Sequence, residues 1–103
     1  MGLLIKSTKK AKVTVANSSI ELPQVYGRVR FMCQANGVDV EFETRTYESE
    51  EKYLENDKAE LATNISGIAM RFTLTEDEKQ DVDTVLLYVK SFFEAQNFEC
   101  EIV

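Results

Sequence analysis

Hydrophobic and polar positions alternate most cleanly over residues 25–47, and Asn36-Gly37 sits at the centre of the pattern. That dipeptide suits a two-residue hairpin turn of type I′, which needs positive φ at both central residues. Such a turn fixes which residues oppose each other. One face then pairs Ala35 with Val38, Cys33 with Val40, Phe31 with Phe42 and Val29 with Thr44. The other pairs Gln34 with Asp39, Met32 with Glu41, Arg30 with Glu43 and Tyr26 with Tyr47. The first face is almost wholly apolar and the second almost wholly polar. A slip of one residue would mix them, so the pattern specifies its own register.

Shorter patterns flank this hairpin. Residues 3–6 begin with Leu3, Leu4 and Ile5, consecutive apolar residues near a chain end, where chains fray unless tied down. Residues 1–9 read as an extended arm that either tucks into its own domain or covers a neighbour. Residues 10–15 alternate Ala11, Val13 and Val15 with Lys10, Lys12 and Thr14, as in a half-buried strand. Asn17-Ser18-Ser19 signals a turn, Ile20 and Leu22 alternate with Glu21, and Pro23 ends any ladder there because it lacks an N–H. Residues 48–58 are dense in charge and read as a short helix, which Ser49 can cap, or an ordered surface excursion, with Tyr53 and Leu54 as its anchors.

Residues 61–74 return to strand character. Ile68, Met70, Phe72 and Leu74 take one face, and Gly67 marks a bulge or bend. Thr75 followed three residues later by Glu78 is a capping box. Val82, Val85, Leu86, Val89, Phe92 and Phe93 then recur at helical spacing, predicting a helix over 76–95 that Asn97 ends in the left-handed region. Phe98, Cys100 and Ile102 alternate with Glu99 and Glu101, so a terminal strand follows. The order predicts a single α+β domain over 1–103. It is a largely antiparallel sheet or small β-sandwich, with one long C-terminal helix and a terminal strand.

Composition removes several function classes. The chain of 103 residues carries a formal net charge of −6 and no histidine. The commonest general base and metal ligand is therefore absent. One basic cluster, Lys6, Lys9, Lys10 and Lys12, falls short of the stripe that nucleic acid requires. No apolar run approaches the ~18 residues of a membrane span. Neither nucleic acid nor membrane is an expected partner, and no cofactor is expected. Cys33 and Cys100 fall on apolar phases as buried free thiols, with a disulfide open only if their strands are neighbours. Asp77, Glu78 and Asp81 are the best candidates for acid–base work, and a solvated helix start explains them more simply.

The better lead lies in residues suited to association. Leu3, Leu4 and Ile5 near one end, and Phe98, Cys100 and Ile102 near the other, offer apolar surface and a strand edge. Tyr26, Tyr47 and Met32 share the polar face of the hairpin, and tyrosine is a residue that interfaces collect. These nine residues are the candidate interface. The competing reading makes that face a second core layer under the charged excursion.

The run Ile20-Glu21-Leu22-Pro23-Gln24-Val25-Tyr26-Gly27-Arg28-Val29, with Tyr47-Glu48-Ser49 and Tyr53-Leu54 after the hairpin, resembles small β-rich structural proteins of tailed bacteriophages. The resemblance covers residues 20–54. It implies a virion component of tail, neck or baseplate type, assembled in the host cytoplasm, that multimerises or bridges other virion proteins without catalysis. The acidic balance supports an alternative, a small intracellular adaptor or inhibitor of a basic protein.

Overall fold

A computed structural model describes residues 2–79 and 81–103. Five strands form one antiparallel sheet: β1 (Gly2–Lys6), β4 (Gln24–Cys33), β5 (Asp39–Tyr47), β6 (Ala69–Thr73) and β7 (Glu99–Ile102), in the order β6-β5-β4-β1-β7. A small two-stranded sheet, β2 (Val13–Thr14) and β3 (Glu21–Leu22), accompanies it. The helices are α1 (Glu50–Glu55) and α2 (Val82–Ala95). The class is α+β, as the residue patterns predict.

The β4–β5 register is the expected one, from Tyr26 opposite Tyr47 to Cys33 opposite Val40. The turn differs. Gly37 is left-handed at φ +76°, but Asn36 is not, so a type I′ turn does not form. Instead the Asn36 side-chain oxygen accepts from the Val38 and Asp39 amides at 3.0 and 3.1 Å. The hairpin closes four residues wide, with the Gln34 amide donating to the Asp39 carbonyl at 2.8 Å. Two- and four-residue loops centred on one point impose the same pairing, so the register survives the change of turn.

β1 is not a frayed arm. It lies between β4 and β7, pairing Leu3 with Gly27 and Ile102, and Ile5 with Val25 and Cys100. Leu3 and Ile5 are fully buried on the inner face of the sheet with Val25, Val29, Val40 and Phe42. Along the inner face, Val85, Leu86, Val89 and Phe93 of α2 cover the strands. At ~1.5–3 kcal/mol per buried side chain, these four hold the helix in place. Gly27 meets this layer closely: a Cβ there would stand 2.9 Å from Ile5 Cδ1 and 3.1 Å from Thr44 Cγ2.

Gly67 forms the expected bulge. At φ +73° it donates to the Thr44 carbonyl at 2.9 Å, while the Thr44 amide donates to the Ile68 carbonyl at 3.3 Å. Two residues thus oppose one, with glycine in the left-handed position. Residues 61–65 make an isolated bridge between Thr63 and Val15 in place of a strand, and the Leu61 amide donates to the Thr46 carbonyl at 2.9 Å.

The helix expected over 76–95 is two pieces. Glu76–Glu78 make one 3-10 turn, and Lys79, at φ −50° and ψ 122°, leaves helical geometry and ends it. α2 then starts afresh at Val82. Asp81 is its N-cap, accepting from the Asp83 and Thr84 amides at 3.0 and 3.4 Å. An aspartate so placed satisfies free amides that a continuous helix would not leave open. The C-terminus is a Schellman motif with Asn97 at φ +74°. Phe98 N–H reaches the Phe93 carbonyl at 3.2 Å and Asn97 N–H the Glu94 carbonyl at 3.0 Å. The Phe93 and Phe98 rings, 6.3 Å apart, supply the apolar contact that accompanies such a cap.

Candidate association surface

The outer face of the sheet is where polar residues of β4 and β5 meet β6. Arg30 and Arg45 both contact Glu43, at 3.5 and 3.2 Å, and Arg45 also reaches Glu60 at 3.1 Å. Arg71 of β6 pairs with Glu41 opposite it on β5. The curled sheet makes this side an open trough of about 770 Å³, lined by Arg30, Met32, Glu41, Glu43, Ala69 and Arg71 among others. Met32 stands 61% exposed. Its exposure agrees with the polar-face assignment from the sequence. The charges in the trough are partnered within the face, so it carries no strong single sign.

At the other end of the same face the tyrosines are sealed. Tyr26 and Tyr47 are buried, and Tyr53 of α1 closes over both, with ring centres at 5.6 and 5.0 Å. The Arg28 guanidinium lies 5.6 Å from the Tyr53 ring centre. Tyr47 donates its hydroxyl to the Asp57 carbonyl at 2.6 Å. Burial, then the nearby Glu50 carboxylate, pushes the Tyr26 hydroxyl pKa up, and burial raises that of Tyr47. The excursion is positioned by its cap, Ser49 Oγ accepting from the Lys52 amide at 3.2 Å. The second-layer reading describes these tyrosines. Leu54, expected as the other anchor, is 73% exposed.

Of the nine candidate interface residues, Leu3, Ile5, Tyr26, Tyr47, Phe98 and Cys100 are buried in their own chain. Their expected exposure fails because β1 is an interior strand and α1 a lid. Leu4 and Ile102 are half-buried, and Met32 is open to solvent. The sequence did not single out the free edge of β6, although its alternation around Arg71 was visible. Cys33 and Cys100 are both free thiols, on strands separated by β1. Burial, with the nearby Glu94 carboxylate adding to it, pushes the Cys100 pKa up to about 12.

Two of the three candidate carboxylates at the start of the helix, Glu78 and Asp81, are committed locally. Glu78 accepts from the Thr75 amide and hydroxyl at 3.0 Å each, and from the Tyr88 hydroxyl at 3.1 Å. Asp81 caps α2 and also accepts from the Thr84 hydroxyl at 3.0 Å. Among the described residues, no group of three or more Cys, Asp or Glu is arranged to hold a metal ion. Among the described residues, no helix is long and apolar enough to cross a membrane. No protein-family model matches the chain, and comparison with curated proteins and with solved structures finds no match.

Proposed function

We propose that this chain is a non-enzymatic structural assembly protein that works by repeated association, with copies of itself or with other subunits of a larger particle. The observation that carries this reading is the pair of sheet edges, β6 and β7, which pair with no further strand among the described residues and have apolar side chains in reach of solvent. Met70 on β6 is 42% exposed, and Val103 follows β7 at 39%. Open edges with apolar flanks are what natural monomers avoid and what assembling subunits use. The resemblance of residues 20–54 to small phage structural proteins supports a tail, neck or baseplate component assembled in the host cytoplasm. With Leu3, Ile5 and the tyrosines buried, the β6 and β7 edges and the outer face are the surfaces that support such association. An acidic adaptor, for which the excursion with Glu99 and Glu101 would supply the charge, has less support, because Glu55 pairs with Lys52 and Glu101 with Lys6.

The test combines light scattering of the purified chain across concentration with mass spectrometry of purified virions. Oligomers, or the chain retained in particles at a fixed copy number, support the reading. A chain monomeric at every concentration and absent from particles defeats it.

A further inference from the structure

We infer that the two free edges are complementary to each other, so that copies of this chain join head to tail, β7 of one against β6 of the next, in one continuous sheet. The inference deepens the assembly reading above and rests on it.

Direction comes first. Successive neighbours in the five-stranded sheet are antiparallel, so its first and last strands, β6 and β7, run the same way. A copy placed alongside in the same orientation therefore offers β6 to β7 as a parallel neighbour, with both inner faces on one side.

The backbone phase agrees. The Leu74 amide donates to the Val38 carbonyl at 2.8 Å, and the Thr44 amide to that of Ile68, so even-numbered residues of β6 bond inward to β5. Antiparallel bonds alternate, which turns the N–H and C=O of Ala69, Arg71 and Thr73 outward. On the opposite side, Gly2 and Val103 exchange both bonds at 3.1 and 3.0 Å. By the same alternation Glu99 and Glu101 bond to β1, and Cys100 and Ile102 face out. None of these outward backbone groups has a backbone partner among the described residues.

In a parallel pair, each outward residue bonds to both neighbours of the residue it faces. Setting Cys100 against Met70 of a second copy satisfies four groups on each edge. Cys100 N–H donates to the Ala69 carbonyl and Ile102 N–H to that of Arg71, while the amides of Arg71 and Thr73 donate to Cys100 and Ile102. Side chains then match by face. Ile102 meets Phe72 and Cys100 meets the half-open Met70 on the inner side, and Glu101 stands opposite Arg71 on the outer side. Arg71, paired with Glu41, and Glu101, paired with Lys6 at 3.6 Å, are 83% and 61% exposed in their side chains, so both can exchange those partners for each other across the contact.

Two-fold pairings are poorer. Joining β7 to β7 with Cys100 facing Cys100 sets Glu99 against Glu101. Joining β6 to β6 at full overlap sets Arg71 against Arg71. Like charges directly opposite are unfavourable in a sheet. The head-to-tail contact is heterologous, and it closes into a ring if the rotation between copies allows.

Charge reversal tests this. Arg71→Glu or Glu101→Arg alone should weaken self-association about tenfold, with circular dichroism confirming the fold. The double variant, and an equimolar mixture of the two single variants, should restore it, because each brings opposite charges back across the contact. In the wild-type chain, hydrogen exchange should slow with concentration at Arg71, Thr73, Cys100 and Ile102 together. A wild-type chain that stays monomeric overturns the inference while leaving association with other subunits open. Protection confined to one edge, or assembly indifferent to both reversals, also overturns it and leaves the broader assembly reading standing.

Discussion

Tyr53 and Leu54 are adjacent on α1 and look alike as apolar anchors in a charged segment, yet the structure assigns them opposite weights. Tyr53 closes over Tyr26 and Tyr47 at 5.6 and 5.0 Å and lies under Arg28 at 5.6 Å, while Leu54 is 73% exposed. Each aromatic pair is worth about 0.5–1.5 kcal/mol beyond its buried area. A partly exposed cation–π contact adds about 0.5–1 kcal/mol. Tyr53→Ala therefore costs about 2–3 kcal/mol, once the half-buried position of the ring is allowed for. Leu54→Ala should stay within about 0.5 kcal/mol, as surface substitutions do. Urea unfolding followed by circular dichroism reads both. The Tyr53 variant should lose about 1–2 M in midpoint, and the Leu54 variant almost nothing. Tyrosine fluorescence should shift only in the first. Equal losses in the two variants would refute the account of α1 as a lid held by one ring.

Other outcomes follow from the same packing. Gly27→Ala puts a methyl group against Ile5 and Thr44 and should cost about 1–3 kcal/mol in thermal or chemical melts. Thiol reagents should label half-buried Cys33 in the native chain and reach Cys100 only on unfolding, read by mass spectrometry. No internal disulfide should appear on oxidation, since Cys100 lies level with Val25 through Ile5, and Cys33 stands eight residues farther along β4, about 26 Å away along the strand. Asp39 is held below the usual carboxylate range by Asn36 and then Thr73, and Glu78 by the amide and then the hydroxyl of Thr75. Folded pKa values that lie below the unfolded ones stabilise the protein above the unfolded pKa. That contribution should fade as pH falls from about 4 through the lower folded values, and Asp39→Asn should flatten this acid limb.

What was legible in the sequence follows from how local each signal is. The β4–β5 register could be read because alternation on two adjacent strands must agree with one loop, and a slip of one residue would mix the faces. Asn97 as a helix stop, Ser49 as a cap and Gly67 as a bulge are likewise set within a few residues. The place of β1 is not local. Three consecutive apolar residues fit a strand covered on both faces as well as a loose arm, and only the pairing to β4 and β7 decides. Tyr26 and Tyr47 carry the same ambiguity. Their phase places them on the polar face, and whether that face is wet depends on where a separate segment lies. The interrupted helix turns on two competing caps, Thr75 with Glu78 and Asp81 with Thr84, six residues apart in a run that periodicity alone joins.

The interior position of β1 changes what a truncation would mean. If residues 3–6 were a loose arm, removing Leu3, Leu4 and Ile5 would trim a sticky end, and a fall in association would be credited to that end. In this fold the same cut removes the strand that joins β4 to β7. It takes away two fully buried side chains, at about 1.5–3 kcal/mol each. It also takes ladder bonds on both sides of the strand, each worth about 0.5–1.5 kcal/mol net. A chain of this size has about 5–15 kcal/mol in all. The truncated protein should therefore lose its cooperative thermal transition and bind hydrophobic dyes. A peptide spanning residues 1–8, added in excess, should restore the transition by pairing back between β4 and β7. A truncated chain that melts cooperatively within a few degrees of the intact one would show that β1 is dispensable, and with it the link between the two halves of the sheet.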